Sequence, residues 1–161
     1  MSGGGAGEQT TSIEFESLRT YPYCVAMLAS HPFARLKSIP LEKLATQPLV
    51  VLRRKEYSGF HNILARIFAP ISAKPRIAVE CDGASSMIAE VEAGHGVVVV
   101  TPLFRLAAAK RLLLRPLDTT EVQSVGIARA TKGDVTPAGE KFCEILRRIS
   151  SGSAGIKALQ A

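Results

Sequence analysis

Apolar residues at Phe60, Ile63, Leu64, Ile67 and Phe68 recur at i, i+3, i+4, i+7 and i+8, the stripe of a helix lying on a sheet. Ser58 stands where it would cap that helix, and Pro70 closes it. Upstream, Tyr23 to Ala29 is short and apolar, as a strand is. Ile39, Leu41 and Leu44 around Pro40 fit a short helix, and Pro48-Leu49-Val50-Val51-Leu52 reads as a buried strand. Downstream, Arg76 to Cys81 alternates Ile77, Val79 and Cys81 against Arg76, Ala78 and Glu80. A helix from Ala84 turns Met87, Ile88 and Val91 inward and stops at Gly94, and the strand Val97 to Val100 follows. Strand, helix, strand, helix, strand with short links is the order of successive βαβ units, and four consecutive valines suit a strand covered on both faces. The fold class is therefore α/β with a parallel sheet. Past Pro102, Leu103 to Ala109 is predicted helical and Leu112 to Leu114 and Val125 to Ala130 extended. Thr136-Pro137 opens a helix with Phe142, Ile145, Leu146 and Ile149 on one face. Residues 1–11, rich in glycine and polar side chains, read as a leader, and 151–161 as a frayed tail.

Two helix starts sit where a strand's carboxyl end would enter a helix, the place where open α/β sheets bind ligands. They are Arg53 to Phe60 and Cys81 to Ser86. Backbone N–H groups at Ser58-Gly59-Phe60 and at Gly83-Ala84-Ser85 would point outward with the positive ends of the helix dipoles and favour a carboxylate or similar anion. Hydroxyls of Tyr57, Ser58, Ser85 and Ser86 would help to orient it. The plainer reading is that Ser58 and Asp82 only cap and turn the chain, as every such helix requires. Arg53, Arg54 and Lys55 would attract an anion, or form an ordinary solvated charge run. Glu80 and Asp82 share a strand face, but an acid/base pair also needs environments that separate their pKa values, which spacing does not establish.

The chain has 161 residues, enough for one domain with a sizeable core. Its formal charge of +6 would suit a nucleic-acid partner, but Lys and Arg are scattered rather than gathered into a run or an aromatic-rich stripe, which argues against DNA binding by these residues. No apolar run approaches the roughly 20 residues of a membrane span, and the start of the chain does not read as a secretion signal, so a cytoplasmic location is expected. Cys24, Cys81 and Cys143 lie far apart with no histidine at zinc-ligand spacing, so they read as reduced packing residues and no metal or cofactor is expected. His31, His61 and His95 accompany no nucleophile elbow, phosphate-binding loop or zinc-peptidase motif, so no catalytic residue is assigned.

Several stretches resemble, in order and spacing, the effector-binding region of LysR-type transcriptional regulators. Tyr23 to Leu28 followed by His31-Pro32-Phe33-Ala34 is similar to that family's crossover strand and His-Pro-hydrophobic-Ala turn. Ile39-Pro40-Leu41-Glu42-Lys43-Leu44 and Pro48-Leu49-Val50 resemble the helix and strand that come next, and Glu92 to Pro102, EAGHGVVVVTP, resembles the Ala-Gly-x-Gly-hydrophobic run ending in proline. The resemblance runs from Leu18 to about Ile149. It implies a periplasmic-binding-protein-like fold of type 2, with a second subdomain over about 30–101, part of a first subdomain over 12–29 and 102–150, and an effector between the two. It places effector contacts on Ser58, Gly59, Phe60, Gly83 and Ala84, with Tyr57, Asp82, Ser85 and Thr101 as neighbours. A full regulator of this type begins with a helix-turn-helix, a linker helix and the start of the first subdomain, which have no counterpart here. DNA contact would thus run through a domain not in this sequence, apolar surface would be exposed, and the partners expected are a small effector, most simply a carboxylate, and a second copy or an intact homologue. The alternative reading is an interaction fragment that acts by pairing with such a homologue.

Overall fold

The computed structural model describes residues 13–130 and 135–151; the expected leader over 1–11 and the tail beyond Ser151 lie outside the described residues. In chain order the elements are β1 (Ile13–Pro22), β2 (Cys24–Met27), α1 (Leu41–Ala45), β3 (Pro48–Leu52), α2 (Ser58–Phe68), β4 (Arg76–Cys81), α3 (Ala84–Glu92), β5 (Val98–Val100), α4 (Arg105–Ala108), β6 (Leu113–Pro116), β7 (Val122–Ala130) and α5 (Pro137–Ser151). Short 3-10 turns follow His31, Phe68 and Thr101. The described residues divide into two compact units, one built on 21–123 and the other on 13–20 with 124–130 and 135–151.

In the larger unit β3 and β4 pair in parallel, and β5, β2 and β6 form a second ladder in that order. The two ladders join where Val97 donates to the Pro48 carbonyl at 3.0 Å and accepts from the Val50 amide at 2.9 Å, a parallel bridge. The spatial order is thus β4-β3-β5-β2-β6. One difference from the expected parallel sheet is β2, which runs antiparallel to both β5 and β6. Its connection to β3 passes through a 3-10 turn and α1 and inserts no β-α-β crossover between neighbours, so nothing forces it parallel.

The valine run shows why the sheet needs covers on both sides. Val97 and Val99 pack with Leu49, Val51, Leu64, Ile67 and Phe68, on the α2 side. Val98 and Val100 pack with Val50, Cys81, Met87, Ile88 and Val91, on the α3 side. Successive residues of a strand face opposite ways, so a strand between two helical layers must be apolar at every position. At the sheet edge β4 relaxes this demand, and Ile77 is 40 % exposed although its alternation predicts burial. Gly94 takes the left-handed conformation at φ 82° just past α3, the stop that its glycine predicts.

The smaller unit pairs β1 with β7 and carries α5. Among its described residues only Ile127 and Cys143 are buried. The helix turns Cys143 inward and leaves Phe142 61 %, Ile145 37 % and Ile149 64 % exposed. An ion pair and a hydrogen bond tie it down instead: Arg147 holds Glu16 through Nε at 2.8 Å and Nη2 at 2.7 Å, and Arg19 donates to the Ser150 carbonyl at 3.0 Å.

Candidate functional site

Because β3, β4 and β5 point the same way, their carboxyl ends share one edge of the sheet. β3 delivers Arg53–Phe60 there, β4 delivers Asp82–Ser85 and β5 delivers Thr101. β4 follows β3 on one side, whereas β5 returns to the other. The chain thus reverses direction across the sheet at β3, the kind of position at which open α/β sheets bind ligands. The nine residues expected to contact an effector therefore lie at one end of one unit, although they come from three separate strands.

The two helix starts are stitched together directly. The Arg53 amide donates to the Cys81 carbonyl at 2.8 Å, and the Tyr57 hydroxyl donates to the Asp82 carbonyl at 3.1 Å. Tyr57, Ser58, Gly59, Asp82, Ala84 and Ser85 are exposed, while Phe60, Gly83 and Thr101 are half-buried. No Cβ contact within 4 Å would meet an added side chain at Gly59 or Gly83, so both glycines border open space.

Three details differ from the sequence expectation. Ser58 is not the cap of α2: Tyr57 occupies that position with φ −129°, and no side chain caps the helix. The turn starts one residue early because the amides of Glu56 and Tyr57 both donate to the Arg53 carbonyl. Phe60 does not offer a free amide, since its N–H donates to the Tyr57 carbonyl at 3.1 Å. Ser58 and Gly59, in the first turn, have no acceptor within the helix and remain the outward donors. Arg53 is drawn to Glu56 at 3.1 Å, so the basic run keeps Arg54 and Lys55 as its outward charges.

The start of α3 is built differently. Gly83 is its N-cap, in extended backbone, and Met87 closes the first turn on the Gly83 carbonyl at 3.1 Å. Asp82 carries a carboxylate into this start and accepts from the Ser86 hydroxyl at 2.5 Å. That hydrogen bond, then one from its own backbone and the charge of Arg53, hold its carboxyl below the usual aspartate range. A negative charge already sits at the positive end of α3. The α2 start, with two free amides and Arg54 and Lys55 nearby, is the better place for a ligand's anionic group. Asp82 suits a hydrogen-bond donor.

His61 has a role that its sequence context did not signal. Beyond having no nucleophile partner, it stands three residues before Leu64 and seven before Phe68, on the apolar face of α2, and this spacing was the available clue. It is the one buried polar side chain among the described residues, and its Nε2 lies 2.6 Å from the Leu52 carbonyl at the end of β3. Two cavities lie apart from the candidate residues. One of about 230 Å³ is lined by Leu28, Ser30, His31, Gln47, Pro48, Gly94 and Gly96, at the opposite edge of the sheet. Another of about 470 Å³ lies among Leu41, Arg66, Pro70 and residues 118–121. No group of His, Cys, Asp and Glu among the described residues has metal-binding geometry.

The LysR substrate binding domain family matches residues 3–150. The chain belongs to that family. The HTH-type transcriptional regulator TtuA of Agrobacterium vitis is 29% identical over 76 residues, which cover 47% of this chain and 25% of the relative. The matched stretch of this LysR-family chain thus spans about a quarter of that regulator's length. Among solved structures, the effector binding domain of QuiR in complex with shikimate superimposes with a TM-score of 0.75 at 21% identity, over 89% of this chain and 68% of that one. The BenM effector binding domain with benzoate gives 0.75 at 21%, over 85% and 63%. The CcmR regulatory domain of Synechocystis PCC6803 in complex with 2-PG gives 0.75 at 15%, over 90% and 70%. These likenesses establish the periplasmic-binding-protein-like α/β fold of type 2. The relatives compared are domains of transcription regulators rather than enzymes. Among the described residues no helix is long and apolar enough to cross a membrane.

Proposed function

We propose that this chain is the effector-sensing part of a LysR-type transcription regulator, and that it recognises a small organic acid at the carboxyl edge of β3, β4 and β5. The observation that carries this reading is the convergence of the α2 and α3 starts on one edge, with open space at Gly59 and Gly83. The amides of Ser58 and Gly59 receive the ligand's carboxylate, helped by Arg54 and Lys55. The Asp82 carboxylate receives a hydroxyl or ammonium of the same ligand, and Tyr57, Phe60, Ala84, Ser85 and Thr101 border it. No reaction is catalysed. Binding shifts the whole regulator between states through differential affinity, and DNA is contacted by a helix-turn-helix domain of the whole protein, in the cytoplasm.

The family match and the solved relatives that hold shikimate and benzoate, both small carboxylates, support this choice of ligand class. Thermal-shift screening of the purified chain against hydroxylated and plain carboxylates tests it. A ligand at 100-fold above its Kd adds about 2.7 kcal/mol to apparent stability, and hydroxylated acids are expected to outrank benzoate. A folded sample that responds to no carboxylate would overturn the reading.

A second reading, pairing with another copy or with an intact homologue, draws on the exposed Phe142, Ile145 and Ile149 of α5. Sedimentation equilibrium decides it: a chain that stays monomeric at high concentration, alone and mixed with a homologue, excludes this role.

A further inference from the structure

We infer that His61 is a positioning residue, an imidazole clamp that fixes the segment between β3 and α2 in its ligand-receiving shape. The inference rests on the effector-binding reading only for its link to affinity; the clamp itself stands on geometry. Burying an ionisable ring is costly unless it is hydrogen-bonded, and His61 is 4 % exposed in a core otherwise free of buried polar side chains among the described residues. Its Nε2 reaches the carbonyl of Leu52, the last residue of β3, at 2.6 Å. A carbonyl oxygen only accepts, so Nε2 carries the proton. The ring stands edge-on to Phe60, with centroids 5.8 Å and planes 88° apart.

The consequence lies in the chain between the two partners. Leu52 and His61 bracket Arg53–Phe60, a segment held by Glu56 and Tyr57 amides on the Arg53 carbonyl and by the Phe60 amide on the Tyr57 carbonyl. The imidazole closes this segment at its base by tying the first turn of α2 to the strand that precedes it. The amides of Ser58 and Gly59 inherit their direction from that tie, as does the Tyr57 hydroxyl on the Asp82 carbonyl. A leucine at position 61 would fill similar space while leaving the Leu52 carbonyl unpaired. A glutamine would return an N–H close to Nε2.

Three measurements on the full chain test this. In the wild type, 15N NMR of the ring is expected to show the Nε2–H tautomer with a slowly exchanging proton. In His61→Leu, amide hydrogen exchange over 53–60 is expected to accelerate about tenfold or more while 97–100 keeps its protection; His61→Gln is expected to recover most of the loss. With shikimate and benzoate as probes, Kd is expected to rise by about tenfold in His61→Leu and to be largely restored in His61→Gln. A general packing role would instead raise exchange in 53–60 and 97–100 together and gain nothing from glutamine. Should His61→Leu fail to fold, the wild-type ring proton decides, and a rapidly exchanging or Nδ1-protonated ring overturns the clamp. Equal Kd in wild type and a folded His61→Leu overturns its role in binding and leaves the effector reading intact. Failure of both probes to bind a wild type whose ring proton is protected refutes recognition of these acids and leaves the clamp standing.

Discussion

Gly94 and Gly96 both have positive φ, 82° and 159°, but differ in the space around them. At Gly94 the backbone is left-handed, but nothing lies within 4 Å of an added Cβ. Gly94→Ala is therefore expected to cost about 1 kcal/mol, the penalty of the left-handed region alone. At Gly96 a Cβ would lie 2.4 Å from the Pro48 carbonyl oxygen, the atom that accepts from Val97 where the two ladders join. Gly96→Ala must push β5 from β3 and is expected to cost about 3 kcal/mol or more. Denaturant midpoints of the two variants check the ordering. Equal losses would mean that the β3–β5 join tolerates displacement. The motif Gly94-His95-Gly96 thus serves the fold, and His95 is turned aside to Glu90.

At the scale of elements, the Asp82–Ser86 contact gives the α3 start a pH dependence with a definite sign. Asp82 titrates below its usual range in the folded chain, chiefly because the Ser86 hydroxyl donates to it. A depressed folded-state pKa contributes stability above the ordinary aspartate pKa and loses it as pH falls through the lower, folded value. The stability difference between wild type and Ser86→Ala is expected to be present at neutral pH and to shrink under acid. A difference that is constant with pH would show that Ser86 acts on something other than the carboxylate.

The same scale shows what the sequence made legible. Period-3.6 stripes located α2 and α3, alternation located β4 and unbroken apolar runs located β3 and β5, because each must face a core, and the order of β and α placed their loops at strand ends. Strand direction was less legible. β2 is as apolar as a parallel strand, and no local pattern marks its antiparallel pairing, which follows from how the chain returns to the sheet. Nor did cap chemistry settle the α2 start. Ser58 is the better intrinsic cap, yet Tyr57 takes the position, where its hydroxyl reaches the neighbouring loop 25 residues on. The candidate residues could be named from pattern and family resemblance. Their stitching through Tyr57, the occupied amide of Phe60 and the burial of His61 are tertiary facts.

At the scale of the whole chain the two units rest on different forces, so they should not fail together. The larger unit has a sheet with apolar packing on both faces. In the smaller, α5 exposes Phe142, Ile145 and Ile149, and the Glu16–Arg147 pair ties it to β1. Glu16 is held below the usual glutamate range, first by the hydrogen bond from Arg147 and then by the charges of Arg147 and Arg129, against some desolvation. Its contribution is therefore present above the ordinary glutamate pKa and is lost as pH falls through the depressed one. Exposure predicts that Phe142→Ser changes stability by no more than about 0.5 kcal/mol, whereas Leu64→Ala, in the larger core, costs about 2–5 kcal/mol. Acidification is expected to raise the exchange of α5 amides, corrected for intrinsic rates, before that of β3 and β5. Glu16→Gln should produce the same α5-specific loss at neutral pH and remove most of the acid effect. If α5 and β5 instead lose protection at one pH, the chain unfolds as a single cooperative body, and the ion pair is not what sets the stability of the smaller unit.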